Sequence, residues 1–512
     1  MNHGGNVIEA QVHQQLYAFL KHQGEAHWPH HLTIARLVAR ALRLERSALL
    51  QVSPLAAYQG RYRLSYLASL LFSPQSAVVV APLPILQQIL LVEMQRFRTW
   101  TQTHKPLYRA QDWPGPSAGG ILLLSPQEWL ADLQAAVPRF PSDWPLILDG
   151  ADQIETWTRQ ALTRRLTGQD WQQLLWAFPG KTAAIRDIQV ALTHHIFQHP
   201  PNPYQAVVLD GAKQSLLRQL QLQLQPMMDQ SPLPWRRFWE DLADQNHHGW
   251  VEINREQGQF TLYLAPTAVW PQAAALLQHR TAVLLGSSFG EADDALRFRQ
   301  EMNLEDVTYV RFAAERQGEE IQLFLPDRIP MPNTAQFQSA LLHQVQRFLL
   351  KDLAFSAQED PNPLVLIVDD TPMKAQVASQ LAASLGSRVV METTPVPPHG
   401  LLICGWEFWL SHHQVLPWPR CFMVATLPIP SPEQPRVAAR IAYYKLQRLD
   451  WFRLYLLPHT IQTLQRAIAP VRNRENGRVI IFDNRLLHRS YGQQILAALS
   501  PYARVESPDL SY

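Results

Sequence analysis

Short, uninterrupted apolar runs alternate along the chain with longer stretches whose apolar positions recur every three or four residues. SALLQV, SAVVVAPL, ILLLS, PLILD and TAVLLGSSF are runs of the first kind. Such runs suit strands buried on both faces, and the segments between them suit the helices that cover those faces. The stretch from His30 to Arg46 carries Leu32, Leu37, Val38, Ala41 and Leu42 at helical spacing, and LSYLASLLF predicts a second helix. SPLAAYQGRYR, polar and Pro-containing, predicts a loop between strand and helix. After LFLPDRIPMPNTAQF, which reads as a linker, the same logic repeats. LVLIVDD, a helix over 374–385, SRVVMETT, GLLICGW, CFMVATLP and RVIIFDN follow in turn. The pattern predicts an α/β fold with two parallel-sheet domains.

Within the first half the pattern changes. TRQALTRRLTGQDWQQLLWAF, TAAIRDIQVALTHHIFQ and LLRQLQLQLQPMM are rich in Gln and Leu at helical spacing and predict a helical insertion. WVEINREQGQFTLYLAP alternates about Gln257-Gly258, which predicts a hairpin returning to the first domain. The expected division is 1–154 and 247–320 for the first domain, 155–246 for the insertion and 321–512 for the second domain.

Composition narrows the class. A chain of 512 residues exceeds one ordinary core. With 46% hydrophobic and 17% charged residues it is globular rather than disordered. A formal net charge of +2 gives no overall electrostatic signature, so any nucleic-acid contact must rest on a local basic surface. Arg96–Arg98, Arg164-Arg165, Arg236-Arg237 and the arginines of 472–478 are such clusters, each more readily read as a solvated face than as a binding strip. Two cysteines, Cys404 and Cys421, build neither a disulfide framework nor a four-thiolate metal site, which suits a reducing cytoplasm. No basic stretch followed by an apolar run opens the sequence, and the apolar runs are shorter than a membrane span. A soluble, cytoplasmic monomer with no membrane partner is the expectation. His195 and His199 have zinc-compatible spacing, but Pro200 follows directly and no third ligand is identifiable, so surface histidines are the simpler reading.

The block LPIPSPEQPRVAAR, followed from Phe452 by FRLYLLPHTIQTLQRAIAPVRNRENGRVIIFDNRLLHRSYGQQILAALSP, resembles the last motif block of DinG-type helicases. These are relatives of the XPD-like group of superfamily 2. The positions that carry the resemblance are Leu427, Pro428, Pro430, Gln465, Arg472, Asp483, Arg485, Leu486, Tyr491 and Gly492. LPDRIPMPNTAQF resembles the family's entry into its second domain, GWEFW its DNA-tracking region, and AVLLGSSF the run to its third motif. The resemblance implies two tandem RecA-like domains of the P-loop NTPase type. It also implies ATP and Mg2+ as cofactors, single-stranded or forked DNA as partner, and ATP-dependent unwinding as activity.

Several positions depart from that family's pattern. A phosphate-cradling loop needs glycines for close backbone approach, a Lys for the phosphates and a Ser or Thr for magnesium. The corresponding loop here has one glycine, Gly60, and no Lys. Tyr62 falls at the Lys position and Arg63 at the Ser/Thr position, while a shifted register offers Arg61. With Gln465, these residues (Gly60, Arg61, Arg63) are the nucleotide contacts that the resemblance implies. LILDGADQIE stands where the family has Asp-Glu-Ala-His, with Gly150 for the Glu and Asp152 for the His. Asp149 either holds magnesium through a water or caps the helix that follows. Of two phosphate-directed arginines only Arg472 remains, the other position being Ala469, and Pro470 is expected to disturb the helix. Asp149 and Arg472 are therefore the catalytic candidates. His31 stands approximately at the family's adenine-contacting Gln, and no iron–sulfur cluster is expected because no cysteine lies between the loop and Asp149. Trp406, Phe408 and Trp409 are either DNA-stacking residues or core, and Ser287 stands where the family couples nucleotide to DNA. Two functions stay open: a helicase-family protein that binds nucleic acid with weak or lost unwinding, and a silent pseudo-helicase serving as a nucleic-acid or protein scaffold.

Overall fold

The computed structural model describes residues 8–23, 28–115, 117–244, 246–290, 294–355, 360–475 and 477–506. The first half contains strands β1 (Ala48–Gln51), β2 (Ala77–Val80), β3 (Leu107–Arg109), β4 (Ile121–Leu124) and β5 (Leu146–Asp149). After an interruption come β6 (Arg164–Leu166), β7 (Ala206–Val208), β8 (His247–Asn254) and β9 (Gln259–Pro266), then β10 (Ala282–Gly286) and β11 (Thr308–Arg311). The second half adds β12 (Ile321–Phe324), β13 (Leu364–Ile367), β14 (Val389–Met391), β15 (Leu401–Cys404), β16 (Cys421–Val424), β17 (Arg478–Ile481) and β18 (Tyr502–Val505).

Two seven-stranded sheets of parallel pairs result, ordered β11-β1-β10-β5-β2-β4-β3 and β14-β15-β13-β16-β17-β12-β18. Both faces of each are covered, as the continuous apolar runs require. In the first sheet Leu50, Val79, Leu123 and Ile147 pack into one core, while their neighbours Leu49, Val78, Leu122 and Leu148 pack into another. Val365 and Ile367 likewise separate from Leu364 and Leu366 in the second sheet. One helix of this chain differs from expectation. SPLAAYQGRYR holds a helix over Pro54–Gln59, capped by the Ser53 hydroxyl, which accepts from the Ala56 N–H at 3.1 Å. Ser at the cap with Pro at the first helical position is a strong start signal.

The insertion also differs from expectation. The hairpin of β8 and β9, expected to return to the first sheet, pairs instead with β6 and β7 in a separate antiparallel sheet ordered β6-β9-β8-β7. Residues 164–266 thus form a mixed α/β unit whose core includes Trp171, Trp235, Trp239, Val251 and Leu262. The helix Ile154–Leu162, placed in the insertion by its sequence, carries Ile154 and Trp157 into the core of the first sheet instead. No helix among the described residues is long and apolar enough to cross a membrane.

Candidate functional site at the ends of the first sheet

Parallel strands bring their C-terminal ends to one edge, where open α/β sheets generally hold ligands. Here the register sets Asp149 beside Leu285 and Gly286 beside Gln51. The turn after β1, the turn after β5 and Ser287 after β10 therefore meet.

Asp149 is completely buried. Its carboxylate accepts from the Tyr62 hydroxyl on one oxygen, and from the Tyr66 hydroxyl at 3.0 Å and Arg63 Nε at 3.4 Å on the other. Tyr62 and Tyr66 are one helical turn apart, so both phenols face the same carboxylate. Burial, followed by the Asp149 charge, raises both phenols well above the usual tyrosine range, so they remain donors. For Arg63 burial opposes the cation, but Asp149 together with Tyr62, Tyr66 and Glu93 outweighs it and the group stays charged. Arg63 Nη1 also donates to Gln88 Oε1 at 2.8 Å.

The backbone of the turn is equally occupied. The N–H groups of Gly60, Arg61 and Arg63 donate to the carbonyls of Ala57, Ala56 and Gly60. Gly60 lies at φ +66°, and a Cβ there would stand 2.2 Å from Arg63 Nη1. The Arg63 side chain thus fills the volume above the glycine that a phosphate loop leaves open. Arg61 is half-exposed at the rim.

After β5, Gly150 sits at φ +94° with Trp157 3.2 Å from where a Cβ would be. A glutamate at this position would be strained and crowded, so the local backbone accounts for its replacement by glycine. Asp152 turns inward: its Oδ2 accepts from the Ser287 N–H at 3.2 Å and from Ser287 Oγ at 2.9 Å. Burial raises the Asp152 carboxyl, partly offset by Arg466 and the Ser287 donors. Ser287 is therefore tied to the β5 turn.

The second domain closes over this edge. Its helix Leu457–Arg472 contains Pro470 and continues two residues past it. Gln462 Nε2 donates to the Asp152 carbonyl at 3.0 Å, and Arg466 lies on the same face, where its charge acts on Asp152. Gln465, named by the resemblance as a nucleotide contact, points elsewhere and donates to the Ala498 carbonyl at 2.9 Å. Arg472 is 2% exposed and bonds the carbonyls of Glu319, Pro501 and Leu499, all within or bordering the second domain. The structure does not bring it to Asp149. Tyr58 Oη donates to the His413 carbonyl at 3.1 Å, and Gln59 bonds Asn473.

A second set of charges spans the same cleft and had no sequence signal. Glu155 Oε1 accepts from Arg440 of the second domain and from Arg159 Nη2 at 2.9 Å. The Arg440 guanidinium stacks 4.0 Å over the Tyr455 ring. Burial opposes ionisation of Glu155, yet Arg440 and Arg159 outweigh it and hold its carboxyl below the usual range. Nearby, burial followed by the arginine charges drives His459 down to about 4 and His248 down to about 3.

The two tryptophans of GWEFW are internal. Trp409 is fully buried with its indole N–H on the Ala467 carbonyl at 2.9 Å, and Trp406 is 6% exposed. Half-buried Phe408 stacks on His412 with ring centroids 4.4 Å apart. Of the two readings, core is what the structure shows for both tryptophans. His31 is also buried, its Nδ1 3.3 Å from Ser65 Oγ.

Two helix-covered parallel sheets facing each other through the ends of β5 and the helix Leu457–Arg472 define a tandem RecA-like protein. A family profile for the helicase C-terminal domain matches residues 419–502. The ATP-dependent DNA helicase YoaA of Haemophilus influenzae is 24% identical over 266 residues, covering 50% of this chain and 41% of the relative. The match thus spans less than half the length of that relative. A solved apo XPD structure superposes with a TM-score of 0.58 at 12% identity, covering 92% of this chain and all (100%) of the other. An XPD helicase structure gives 0.56 at 10% identity, covering 99% and 100% of the two chains. The chain is thus similar to DinG/XPD-type superfamily 2 helicases, in sequence over the motif block from Leu427 to Gly492 and in fold along nearly its whole length.

Proposed function

We propose that this chain binds single-stranded DNA across its two RecA-like domains without an ATP-driven cycle, as a pseudo-helicase. One observation carries the reading: the carboxylate that would hold magnesium is buried and fully engaged by Tyr62, Arg63 and Tyr66. The residues present do not fit a magnesium nucleotide. Arg63 occupies the phosphate space over Gly60, the N–H groups of Gly60, Arg61 and Arg63 have internal acceptors, and Gly150 offers no carboxylate to orient a water. Arg472 supplies no charge across the cleft, being bound to carbonyls. DNA as partner follows from the helicase relationship.

The test is fluorescence anisotropy of a labelled single strand, titrated with protein at several salt concentrations. The expected result is salt-sensitive binding, as for any strand held by its phosphates, with one affinity whether or not Mg·ATP is added. A strand affinity that changes tenfold or so with Mg·ATP would restore the motor reading. No strand binding at low salt would leave the protein-scaffold form of the pseudo-helicase.

A further inference from the structure

We infer that a pocket in the second domain, separate from the cleft, is a phosphate-binding site. It has a volume of about 550 Å³ and lies between the interdomain linker at Pro332 and Asn333 and the segment from Arg485 to Tyr491. No residue of the first sheet lines it, and no Asp or Glu does.

Its geometry is set from below. Asp483 is 1% exposed and accepts from the Leu427 N–H at 2.8 Å, which fixes the carboxylate against the segment after β16. Arg485 reaches back to it through Nε at 2.9 Å and through Nη2. That bidentate pairing orients the guanidinium and leaves Nη1 without a partner among the described residues. The segment then turns tightly at Gly492, where a Cβ would stand 1.9 Å from the Leu486 carbonyl oxygen. This close approach requires glycine and presents Arg489, Ser490 and Tyr491 on the pocket wall.

The wall is rich in donors. Arg489 is exposed and makes no side-chain ion pair among the described residues. Asp483 neutralises Arg485, so Arg489 leaves one surplus positive charge. Ser490 and Tyr491 add hydroxyls, and Asn333 adds an amide from the opposite side. Two guanidinium groups, two hydroxyls and an amide suit an anion with several acceptor oxygens, and a phosphate group fits that description. The volume leaves room for a sugar attached to it. The phosphate can come from solution as the free ion or from a nucleic-acid strand.

The experiment uses the full chain and three probes: inorganic phosphate, a 5′-phosphorylated oligonucleotide, and the same oligonucleotide with a 5′-hydroxyl. Phosphate is followed by ³¹P line broadening and the strands by anisotropy. Arg489→Ala is expected to weaken at least one probe about tenfold, with Arg489→Lys recovering only part. Loss confined to the 5′-phosphorylated strand assigns a strand end, equal loss for both strands assigns internal phosphates, and loss for the free ion alone assigns a small-anion site. The free-ion arm holds even for a chain that binds no DNA. Unchanged binding of all three probes by Arg489→Ala would overturn the site. So would an equal loss from Arg388→Ala, an exposed arginine elsewhere on this domain, because overall charge would then explain the effect.

Discussion

Replacing Asp149 with alanine is expected to destabilise the first domain by about 3–5 kcal/mol, the usual effect of removing one partner of a buried ion pair. The Arg63 side chain is 2% exposed and Asp149 1%, so the substitution leaves an uncompensated cation in the core. The Tyr62 and Tyr66 hydroxyls lose their acceptor at the same time. Asp149→Asn keeps an acceptor oxygen and is expected to cost less. Pairing Asp149→Leu with Arg63→Met removes both charges and is expected to recover much of the loss, since apolar replacement of a buried pair is often neutral. Urea denaturation of the four proteins gives the comparison. A carboxylate kept open for a metal ion would behave differently: its removal would leave the melting midpoint nearly unchanged.

The second large effect lies at Arg440. Its side chain is 13% exposed and its partner Glu155 22%, and the pair ties the second domain to the helix after β5. Arg440→Ala is expected to cost roughly 2–5 kcal/mol of interdomain contact, the range for truncating one member of a buried, hydrogen-bonded charge pair. Small-angle scattering should show a larger radius of gyration for the variant at neutral pH. Acid should act on the wild type in the same direction. His248 and His459 have depressed values, so the folded protein keeps them neutral while the unfolded or opened chain protonates them below 6.5. Their contribution to stability is full above 6.5 and falls as pH drops toward 4. Glu155 is also depressed, and its contribution is lost on passing below its ordinary value of 4.5 and through the lower folded one. Equal radii for the two proteins at neutral pH, with a wild-type radius that stays constant as the pH falls through 4.5 to about 4, would remove the latch from this account.

Much of the architecture was legible because parallel strands buried on both faces leave continuous apolar runs. LILD, AVVV, ILLL, LVLI and RVII all lie in strands. Whether a hairpin joins one sheet or another has no local signal, and β8 and β9 joined β6 and β7 accordingly. The loop after β1 was misread although Ser53-Pro54 announced a helix. The chemistry of Asp149 was less accessible still. The spacing of Tyr62 and Tyr66 placed them on one face, but nothing in sequence said that this face meets residue 149. Arg472 illustrates the limit of motif matching. Gln462 and Arg466 are one turn apart and share the cleft face, whereas six residues beyond Arg466 the helix has rotated by roughly 240° beyond a full turn. Arg472 consequently points into its own domain. Glu155 and Arg440 meet across 285 positions, where no pattern connects them.

The most direct measurement of the central claim is a calorimetric titration of the full chain with Mg·ATP, repeated with single-stranded DNA present. A nucleotide site filled by its own Arg63 predicts no saturable binding in either titration once the pocket of the second domain is disabled by Arg489→Ala. One-to-one binding by that variant tighter than about 1 mM, the upper end of ordinary enzyme substrate affinities, would contradict it and return Asp149 to a magnesium site.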